Sequence, residues 1–136
     1  MNDAQFKDVT LNVDQAVILA YAEMTDDFNP IHVDPVFAAT TPLGGVIAHG
    51  TMSLNLIWQS ISATFGEDAI GGALLDVKFV RPVRIGDTVR AGGSAVPAAD
   101  GRHAVWVKNQ DGVEVISGTL DLQGCAKEGG KVSRKG

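Results

Sequence analysis

The stretch HGTMSLNLIWQSISATF, residues His49–Phe65, sets the architecture that the rest of this chain must build around. Its apolar residues recur at helical spacing, with Leu54, Ile57 and Ile61 on one face. Four further large apolar side chains widen that face: Met52, Leu56, Trp58 and Phe65. Only a narrow polar stripe remains. A helix that is apolar over most of its circumference is buried on most of its sides. The sequence therefore predicts one long helix enclosed by the rest of the domain.

Strand-like segments follow this helix, and no further helical segment separates them. They are ALLDVKFVRPV (73–83), DTVRAGGSAV (87–96), RHAVWVKNQ (102–110) and VEVISGTLDLQ (113–123). The dipeptides Asp100-Gly101 and Asp111-Gly112 are typical of hairpin tips. Consecutive strands joined by turns form an antiparallel sheet, and a helix covers one face of such a sheet. The predicted fold class is α+β.

Shorter elements are predicted before the long helix. They are a strand over 6–13, a helix over Gln15–Met24 with Asp14 as its N-cap, a turn at Asn29-Pro30, and a short helix beginning at Asp34. The turn is expected because a proline disfavours helical geometry in the residue before it.

Length and charge limit the classes of protein to which the chain can belong. Its 136 residues, 45% of them hydrophobic and 20% charged, suit one ordinary globular domain with its own core. The net charge is −5, with +3 in the last ten residues and −8 in the remainder, which argues against a nucleic-acid-binding protein. We expect one domain over 1–125 and a disordered basic tail over 126–136.

Cysteine content and hydropathy indicate the compartment. Cys125 is the single cysteine, so no intrachain disulfide can form, which fits a reducing environment. No segment approaches the ~18 uninterrupted apolar residues of a transmembrane helix, and the N-terminus lacks the pattern of a secretion signal. We expect a cytoplasmic protein that does not associate with membranes.

The run TDDFNPIHVDP, residues 25–35, holds the main candidates for chemistry. Asp27 and His32 lie five residues apart, and the Asn-Pro turn between them would carry both toward one point. A carboxylate and an imidazole that converge can activate water and move a proton at neutral pH. The Asn29 amide could hold Asp27 or a water by hydrogen bonds. Taken singly, these residues also suit structural roles as a cap, a turn residue and a surface histidine.

His49 and Gly50 open the long helix and form a second constellation. In one interpretation Gly50 only permits close packing and His49 lies in a loop. In the other, the unpaired N–H groups at the helix N-terminus polarise a carbonyl oxygen, and glycine lets that oxygen approach. Spacing alone leaves both open. A metal site formed by His32, His49 and a carboxylate lacks a supporting HxxxH or cysteine pattern, so we expect no metal.

Together these motifs resemble the hydratase signature of MaoC-like proteins, the (R)-specific enoyl-CoA hydratases of the hydratase 2 type. The similarity rests on YAEMTDDFNPIHVDPVFAATTPLGGVIAHGT (21–51), with its D-x-N-P-[IL]-H run and its I-A-H-G helix start. VKFVRPVRIGDTV (77–89) is similar to the F-x-x-P-V-x-x-G-D strand pair of the family. The resemblance covers approximately residues 6–122.

The resemblance implies a hot-dog fold. In that fold a curved antiparallel sheet wraps around the long central helix, here with an additional short helical overhang. It also implies a homodimer whose acyl-CoA tunnels lie at the subunit boundary.

The resemblance further implies a hydro-lyase reaction. Carried over residue by residue, the resemblance implies that Asp27 and His32 are the catalytic acid/base pair. It also implies that the backbone N–H of Gly50 binds the thioester carbonyl. Asn29 and His49 match supporting positions. The implied reaction is the reversible addition of water to trans-2-enoyl-CoA to give (R)-3-hydroxyacyl-CoA, in which the thioester is the substrate and no cofactor takes part. Which member of the Asp27/His32 pair is the base stays open.

Neighbouring residues carry expectations about the substrate. Candidates for the acyl pocket are Trp58, Thr51 and Ile47. Trp58 is bulkier than expected for the family, and core packing is its alternative explanation. Candidate contacts to the phosphates of CoA, or of a carrier protein's phosphopantetheine, are the basic residues of one short segment: Lys78, Arg81, Arg84 and Arg90. A solvated strand face explains these basic residues equally well.

Two other functions compete with hydration. A hot-dog thioesterase is less favoured, because the D-x-N-P-x-H run indicates water addition to a double bond. A noncatalytic acyl-thioester binding subunit is less favoured because Asp27 and His32 are both present. Acyl chain length, physiological direction and the choice between CoA and carrier protein stay open.

Overall fold

The computed structural model describes residues 5–122 of the chain. Its elements, in order, are β1 (Val9–Asn12), α1 (Gln15–Thr25), α2 (Pro30–Val33), α3 (Pro35–Ala39), α4 (Gly50–Phe65), a 3₁₀ helix (Glu67–Gly72), β2 (Leu74–Phe79), β3 (Thr88–Gly93), β4 (His103–Lys108) and β5 (Glu114–Asp121). The predicted tail over 126–136 and Cys125 lie outside the described residues, so the predicted domain boundary stays a prediction.

The five strands form one antiparallel sheet in the order β1-β3-β4-β5-β2. Both predicted hairpin tips are present, and Gly101 and Gly112 have φ angles of 86° and 77° there. Glycine adopts this left-handed conformation without steric cost, which is why the turns form at these positions. Helix α4 packs against β1, β3 and β4. The predicted α+β class is confirmed.

The core lies between α4 and the sheet. Ile57 and Ile61 of α4 are fully buried, and so are Val89, Val107 and Leu120 of the strands. Burial of each such side chain contributes about 1.5–3 kcal/mol, which makes this layer the main source of stability.

The predicted burial of α4 on most of its sides is confirmed only in part. Ser53 and Ser60 are buried with the inward face, whereas Leu54 and Trp58 are only partly buried. One sheet covers one side of a helix, so the opposite side keeps contact with solvent in the single chain. Between residues 5 and 122, no helix has the length and hydropathy that crossing a membrane requires.

The segment before α4 contains one helix more than the sequence predicts. The predicted turn at Asn29-Pro30 is present, since the His32 N–H bonds to the Asn29 oxygen at 2.8 Å, and it continues into the unpredicted helix α2. The Asn29 side chain accepts a hydrogen bond from the Ile31 N–H, and Pro30 occupies the first helical position. Proline is well suited to that position because its missing N–H has no intrahelical partner there. The same rule correctly predicts α3, where Asp34 is the N-cap and Pro35 follows it.

Strand β2 forms an outer edge of the sheet, and its pairing with β5 depends on Gly118. Residues 74–79 pair with residues 116–121. A Cβ atom at Gly118 would collide with the backbone oxygen of Asp76 and lie 2.7 Å from the Val77 Cα. These are backbone atoms, so a side chain could be accommodated only if β2 moved away from β5.

We predict that Gly118→Ala lowers the free energy of unfolding by about 3 kcal/mol, because the added methyl group separates two paired strands. Urea denaturation measures this difference. Gly71→Ala is the matched control, since a Cβ at Gly71 meets nothing within 4 Å, and we expect it to stay within about 0.5 kcal/mol of the unaltered protein. Equal stability of the two variants would contradict the assigned packing.

Candidate active site

Asp27 lies at the reversal between α1 and α2. Helix α1 ends at Asp26, whose φ of 56° is left-handed and turns the chain. The carboxylate of Asp27 accepts a hydrogen bond of 3.3 Å from the Asn29 backbone N–H. The Asn29 side-chain oxygen caps α2, and the bond that Asn29 makes to Asp27 comes from its backbone N–H. Asp27 is exposed in the single chain.

His32 is fixed by a backbone carbonyl in a defined tautomer. Its Nδ1 lies 2.8 Å from the Ile47 oxygen. A carbonyl oxygen can only accept a hydrogen bond, so Nδ1 carries the proton and donates it. In the neutral ring, Nε2 then keeps a free lone pair. His32 therefore presents a proton acceptor at the site.

His49 lies beneath this pair and connects them. It is 2% exposed, and its Nε2–H donates to the backbone oxygen of Asp27 at 2.9 Å. Its ring stacks on His32 with centroids 4.0 Å apart and an interplanar angle of 25°. The Tyr21 ring packs against it with a centroid distance of 4.9 Å. His49 thus holds the backbone of the acid and the ring of the other histidine in one place.

The expected convergence of Asp27 and His32 is confirmed, and His49 joins them. One carboxylate oxygen and one nitrogen from each histidine all lie within 4.8 Å of one another. A cation would need both nitrogen lone pairs to point at one spot about 2.1 Å away. Rings that stack at 25° direct their lone pairs along nearly parallel planes, which does not suit shared coordination. The geometry suits proton transfer better than metal binding.

The N-terminus of α4 stands beside this cluster with no side-chain cap. Asp14, Asn29 and Asp34 each cap their helix by accepting from a backbone N–H. His49, the N-cap of α4, makes no such bond. The Met52 N–H bonds to the His49 oxygen at 3.1 Å, whereas the N–H groups of Gly50 and Thr51 have no partner among residues 5–122. These two groups are available to an outside acceptor at the positive end of the helix dipole.

Gly50 is required by a close approach. A Cβ at this position would lie 2.5 Å from the Phe79 ring. The Phe79 side chain comes from the end of β2 and is itself 53% exposed. An apolar ring therefore covers the helix N-terminus on one side, which lowers the competition from water for the N–H groups.

A cavity of about 330 Å³ joins these features. Its wall is supplied by α2, the start of α4 with the residues before it, the end of β2 with the segment after it, and β5. Asp27 is not part of this wall, which consists of His32, Ile47, Ala48, His49, Gly50, Ser53, Phe79, Val80, Arg81, Pro82, Val83, Val115 and Ile116. Most of these side chains are apolar, with few polar groups, as in small-molecule sites generally. Ile47 and Arg81, two of the predicted substrate contacts, belong to this wall.

The other predicted substrate contacts lie outside the cavity wall of the single chain. Thr51 points elsewhere, and its hydroxyl forms a 2.6 Å hydrogen bond with Tyr21. Trp58 is partly buried against the core. Lys78 and Arg84 are exposed. Arg90 lies 3.8 Å from the Asp8 carboxylate, so it is paired rather than free for a phosphate.

A family model described as MaoC like domain matches residues 2–116. The chain belongs to the MaoC-like family. The match spans the acid/histidine run, the start of α4 and most of the sheet, so it includes every element that contributes to the cavity wall.

Several relatives of this MaoC-like chain have hydratase or dehydratase names. The 3-hydroxyacyl-thioester dehydratase Z of Mycobacterium tuberculosis is 34% identical over 121 residues, which are 86% of this chain and 76% of the relative. An (R)-specific enoyl-CoA hydratase of Aeromonas caviae is 36% identical over 80 residues, 56% of this chain and 57% of the relative. Among solved structures, the unliganded R-hydratase of Pseudomonas aeruginosa has a TM-score of 0.70 and 28% identity over 86% of this chain and 77% of that one. These similarities confirm the hot-dog fold.

Sequence reasoning missed two residues of the MaoC-like site, Ser53 and Phe79. Ser53 lies in a helix whose apolar residues alone were interpreted. Its spacing of three residues from Gly50, which places both on the same helical face, is the signal that could have identified it. Phe79 appeared only as the first letter of a strand motif. Its proximity to Gly50 depends on how β2 lies against α4, which local sequence does not determine.

We predict that the histidines occupy the tautomers that their carbonyl partners require. His32 and His103 should carry the proton on Nδ1, because these atoms face the oxygens of Ile47 and Ser94, and His49 should carry it on Nε2. Two-bond ¹⁵N–¹H correlation spectra of ¹⁵N-histidine-labelled protein, recorded at about pH 8 where unperturbed rings are neutral, distinguish the two forms. His103→Phe assigns one of the three signals. A single common tautomer for all three rings would contradict the geometry.

Proposed function

We propose that this MaoC-like protein is a hydro-lyase that adds water reversibly to trans-2-enoyl-CoA and forms (R)-3-hydroxyacyl-CoA. Relatives that are named hydratases and dehydratases support the reaction class. The observation that carries the proposal is a carboxylate and an imidazole that approach within 4.8 Å, where the imidazole of His32 and the uncapped N-terminus of α4 line one cavity. The carboxylate and the imidazole can bind and deprotonate a water molecule. The N–H groups of the helix N-terminus can stabilise negative charge on a substrate oxygen.

Asp27 and His32 together bind the water molecule and transfer its proton. Both present acceptors, so one water can donate a hydrogen bond to each and turn an oxygen lone pair toward Cβ of the substrate. As the C–O bond forms, one of the pair takes a proton from the water. The pair then delivers the proton taken from the water to Cα on the same face, and the double bond between Cα and Cβ becomes a single bond. The assignment of base and acid within the pair stays open.

Gly50 stabilises the charge that this addition creates. Attack at Cβ moves electron density onto the thioester oxygen and gives an enolate-like state. The Gly50 N–H at the positive end of α4 would donate to that oxygen, a contribution worth about 3 kcal/mol at other oxyanion sites.

All groups needed for the steps are supplied by the chain, so we propose that no metal or other cofactor takes part. Unchanged turnover after dialysis against a chelator would support this, and a metal-restored loss would refute it.

The substrate handle is proposed to be CoA or the phosphopantetheine of a carrier protein. Arg81 lies in the cavity wall and is exposed, and Lys78 and Arg84 are exposed in the same segment. Exposed cations beside a cavity of an acidic protein attract phosphates. A rise in KM with salt, reduced in Arg81→Gln, would test the contact. Ile47 in the wall, together with Thr51 and Trp58, which lie outside the wall of the single chain, stays the proposed acyl boundary, and the chain-length profile of Trp58→Ser would test this.

The working form is proposed to be a homodimer. Asp27 is exposed in the single chain, although proton transfer benefits from exclusion of bulk water. Exposed apolar residues surround the free edge of β2: Leu74 at 65%, Phe79 at 53% and Val80 at 50%. A partner subunit on this edge would bury them and enclose the site. Light scattering that gave a monomer with full activity would refute the homodimer. The cytoplasmic location stays a prediction from the sequence.

Two cheap assays separate this function from its competitors. Mixing the protein with crotonyl-CoA should remove the enoyl absorbance. A thioesterase would instead release free thiol, and a noncatalytic binding subunit would give neither signal.

We predict that Asp27→Asn and His32→Ala each reduce turnover by roughly 10²–10⁴-fold, the range typical for removal of a general acid or base. Both variants should keep the fold, because Asp27 is exposed and His32 is only partly buried. Asp26→Asn is the matched control: asparagine tolerates the left-handed φ of this exposed neighbour, and turnover should be unchanged. Hydration of crotonyl-CoA at the unaltered rate by either site variant would refute the assignment.

A further inference from the structure

Two polar atoms in the cavity wall are buried and have no hydrogen-bond partner among the described residues. They are the Nδ1 of His49 and the Oγ of Ser53, and both residues are only 2% exposed. Buried polar groups in folded proteins are nearly always paired, so each unpaired one requires an explanation. Both residues line the same cavity, which suggests that a ligand in the cavity supplies the missing partner.

Ser53 differs from three other hydroxyl residues of the helices, Thr25, Ser60 and Thr64. Thr25 and Thr64 donate to the carbonyl four residues earlier, at 2.8 Å and 2.7 Å. Ser60, which is fully buried two turns after Ser53, donates to the Lys7 oxygen at 2.6 Å. Helical serines commonly form such local bonds, and the Ser53 hydroxyl forms none within residues 5–122. Its hydroxyl group is therefore free to donate into the cavity.

The position of Ser53 directs that hydroxyl toward Gly50. The two residues lie three apart on α4 and thus share one helical face. Side chains of a helix tilt toward its N-terminus, which here is the end without a side-chain cap. Gly50 and Ser53 both line the cavity. One backbone N–H and one hydroxyl therefore face the same small space.

We infer that the Ser53 hydroxyl donates a second hydrogen bond to the thioester carbonyl oxygen, beside the bond from the Gly50 N–H. Ser53 is then a catalytic residue, because it touches the oxygen on which negative charge develops. The inference rests on the proposed function, since it requires an enoyl thioester in the cavity. Oxyanion sites of acyl-transfer enzymes use more than one donor in the same way.

His49 cannot take this role in its neutral form. Its Nε2 carries the proton that is donated to the Asp27 oxygen, so its Nδ1 holds a lone pair and can only accept. An acceptor next to a carbonyl oxygen would repel it. A competing role for Ser53 is to donate to this Nδ1, since residues four apart on a helix are neighbours. A hydroxyl has one proton and cannot serve both acceptors at once, so the two roles can be separated.

The test compares Ser53→Ala with Ser60→Ala. Ser53→Ala should lower kcat on crotonyl-CoA roughly 10²-fold, as loss of one oxyanion donor does elsewhere. Its thermal midpoint should stay equal or rise, because the variant removes a buried unpaired hydroxyl. Ser60→Ala, whose residue lies outside the cavity wall, should lower the thermal midpoint and leave kcat unchanged. Ser53→Cys, which keeps a weak donor, should be intermediate in kcat.

A spectroscopic readout shows whether the hydroxyl touches the carbonyl. A conjugated dienoyl thioester absorbs at longer wavelength when its carbonyl is polarised, and an Asp27→Asn background would let it bind without turnover. Adding Ser53→Ala to that background should reduce the red shift of bound 2,4-hexadienoyl-CoA, whereas adding Ser60→Ala should not.

An unchanged red shift would overturn the inference, whether or not kcat falls, because Ser53 would then act through His49 or only in packing. Failure of the proposed function would look different. In that case the unaltered protein would hydrate no enoyl thioester, and the inference would fall with it.

Discussion

The hydrogen bond from the His49 Nε2–H to the Asp27 backbone oxygen is the interaction on which the whole site depends. It joins two segments that lie 22 residues apart, the reversal after α1 and the start of α4. Because the donor ring is buried, water competes with the bond only weakly. The same ring stacks on His32, whose own Nδ1–H is held by Ile47. One buried imidazole thus orients the acid, the second imidazole and the helix N-terminus together.

Close to this bond, two local features lower the stability of the fold and suit a functional site. Helix α4 has no side-chain cap, although the three shorter α-helices of the described part each have one. Ser53, on the same helix, is buried and has no hydrogen-bond partner in the part of the chain that the structure describes. A cap typically contributes about 1 kcal/mol, and an unpaired buried hydroxyl costs about 1–3 kcal/mol. Both costs fall at one place, the end of the cavity where a thioester oxygen would lie, and real proteins break local rules mainly at functional sites.

Local sequence was sufficient for most elements because their signals are local. The cap at Asp14, the Asp34-Pro35 helix start and the Asp-Gly tips each act within a few residues, and the structure has all three. The Asn29-Pro30 turn is present, closed by the hydrogen bond from the His32 N–H to the Asn29 oxygen, but its continuation into the short helix α2 was not predicted, because this dipeptide suits both a turn and a helix start. His49 was identified as a supporting residue through family resemblance. Its stacking on His32 could not be predicted, because it depends on how α2 and α4 meet in space.

The central claim is that Asp27 and His32 handle one water on one face of the substrate while the start of α4 holds its carbonyl. Hydration of crotonyl-CoA in D₂O tests this claim most directly, with the product analysed by chiral chromatography and by proton coupling between C2 and C3. The account predicts the (R) configuration at C3 and a single C2 diastereomer that corresponds to addition of oxygen and deuterium to the same face. An (S) product, or a mixture of C2 diastereomers, would contradict it.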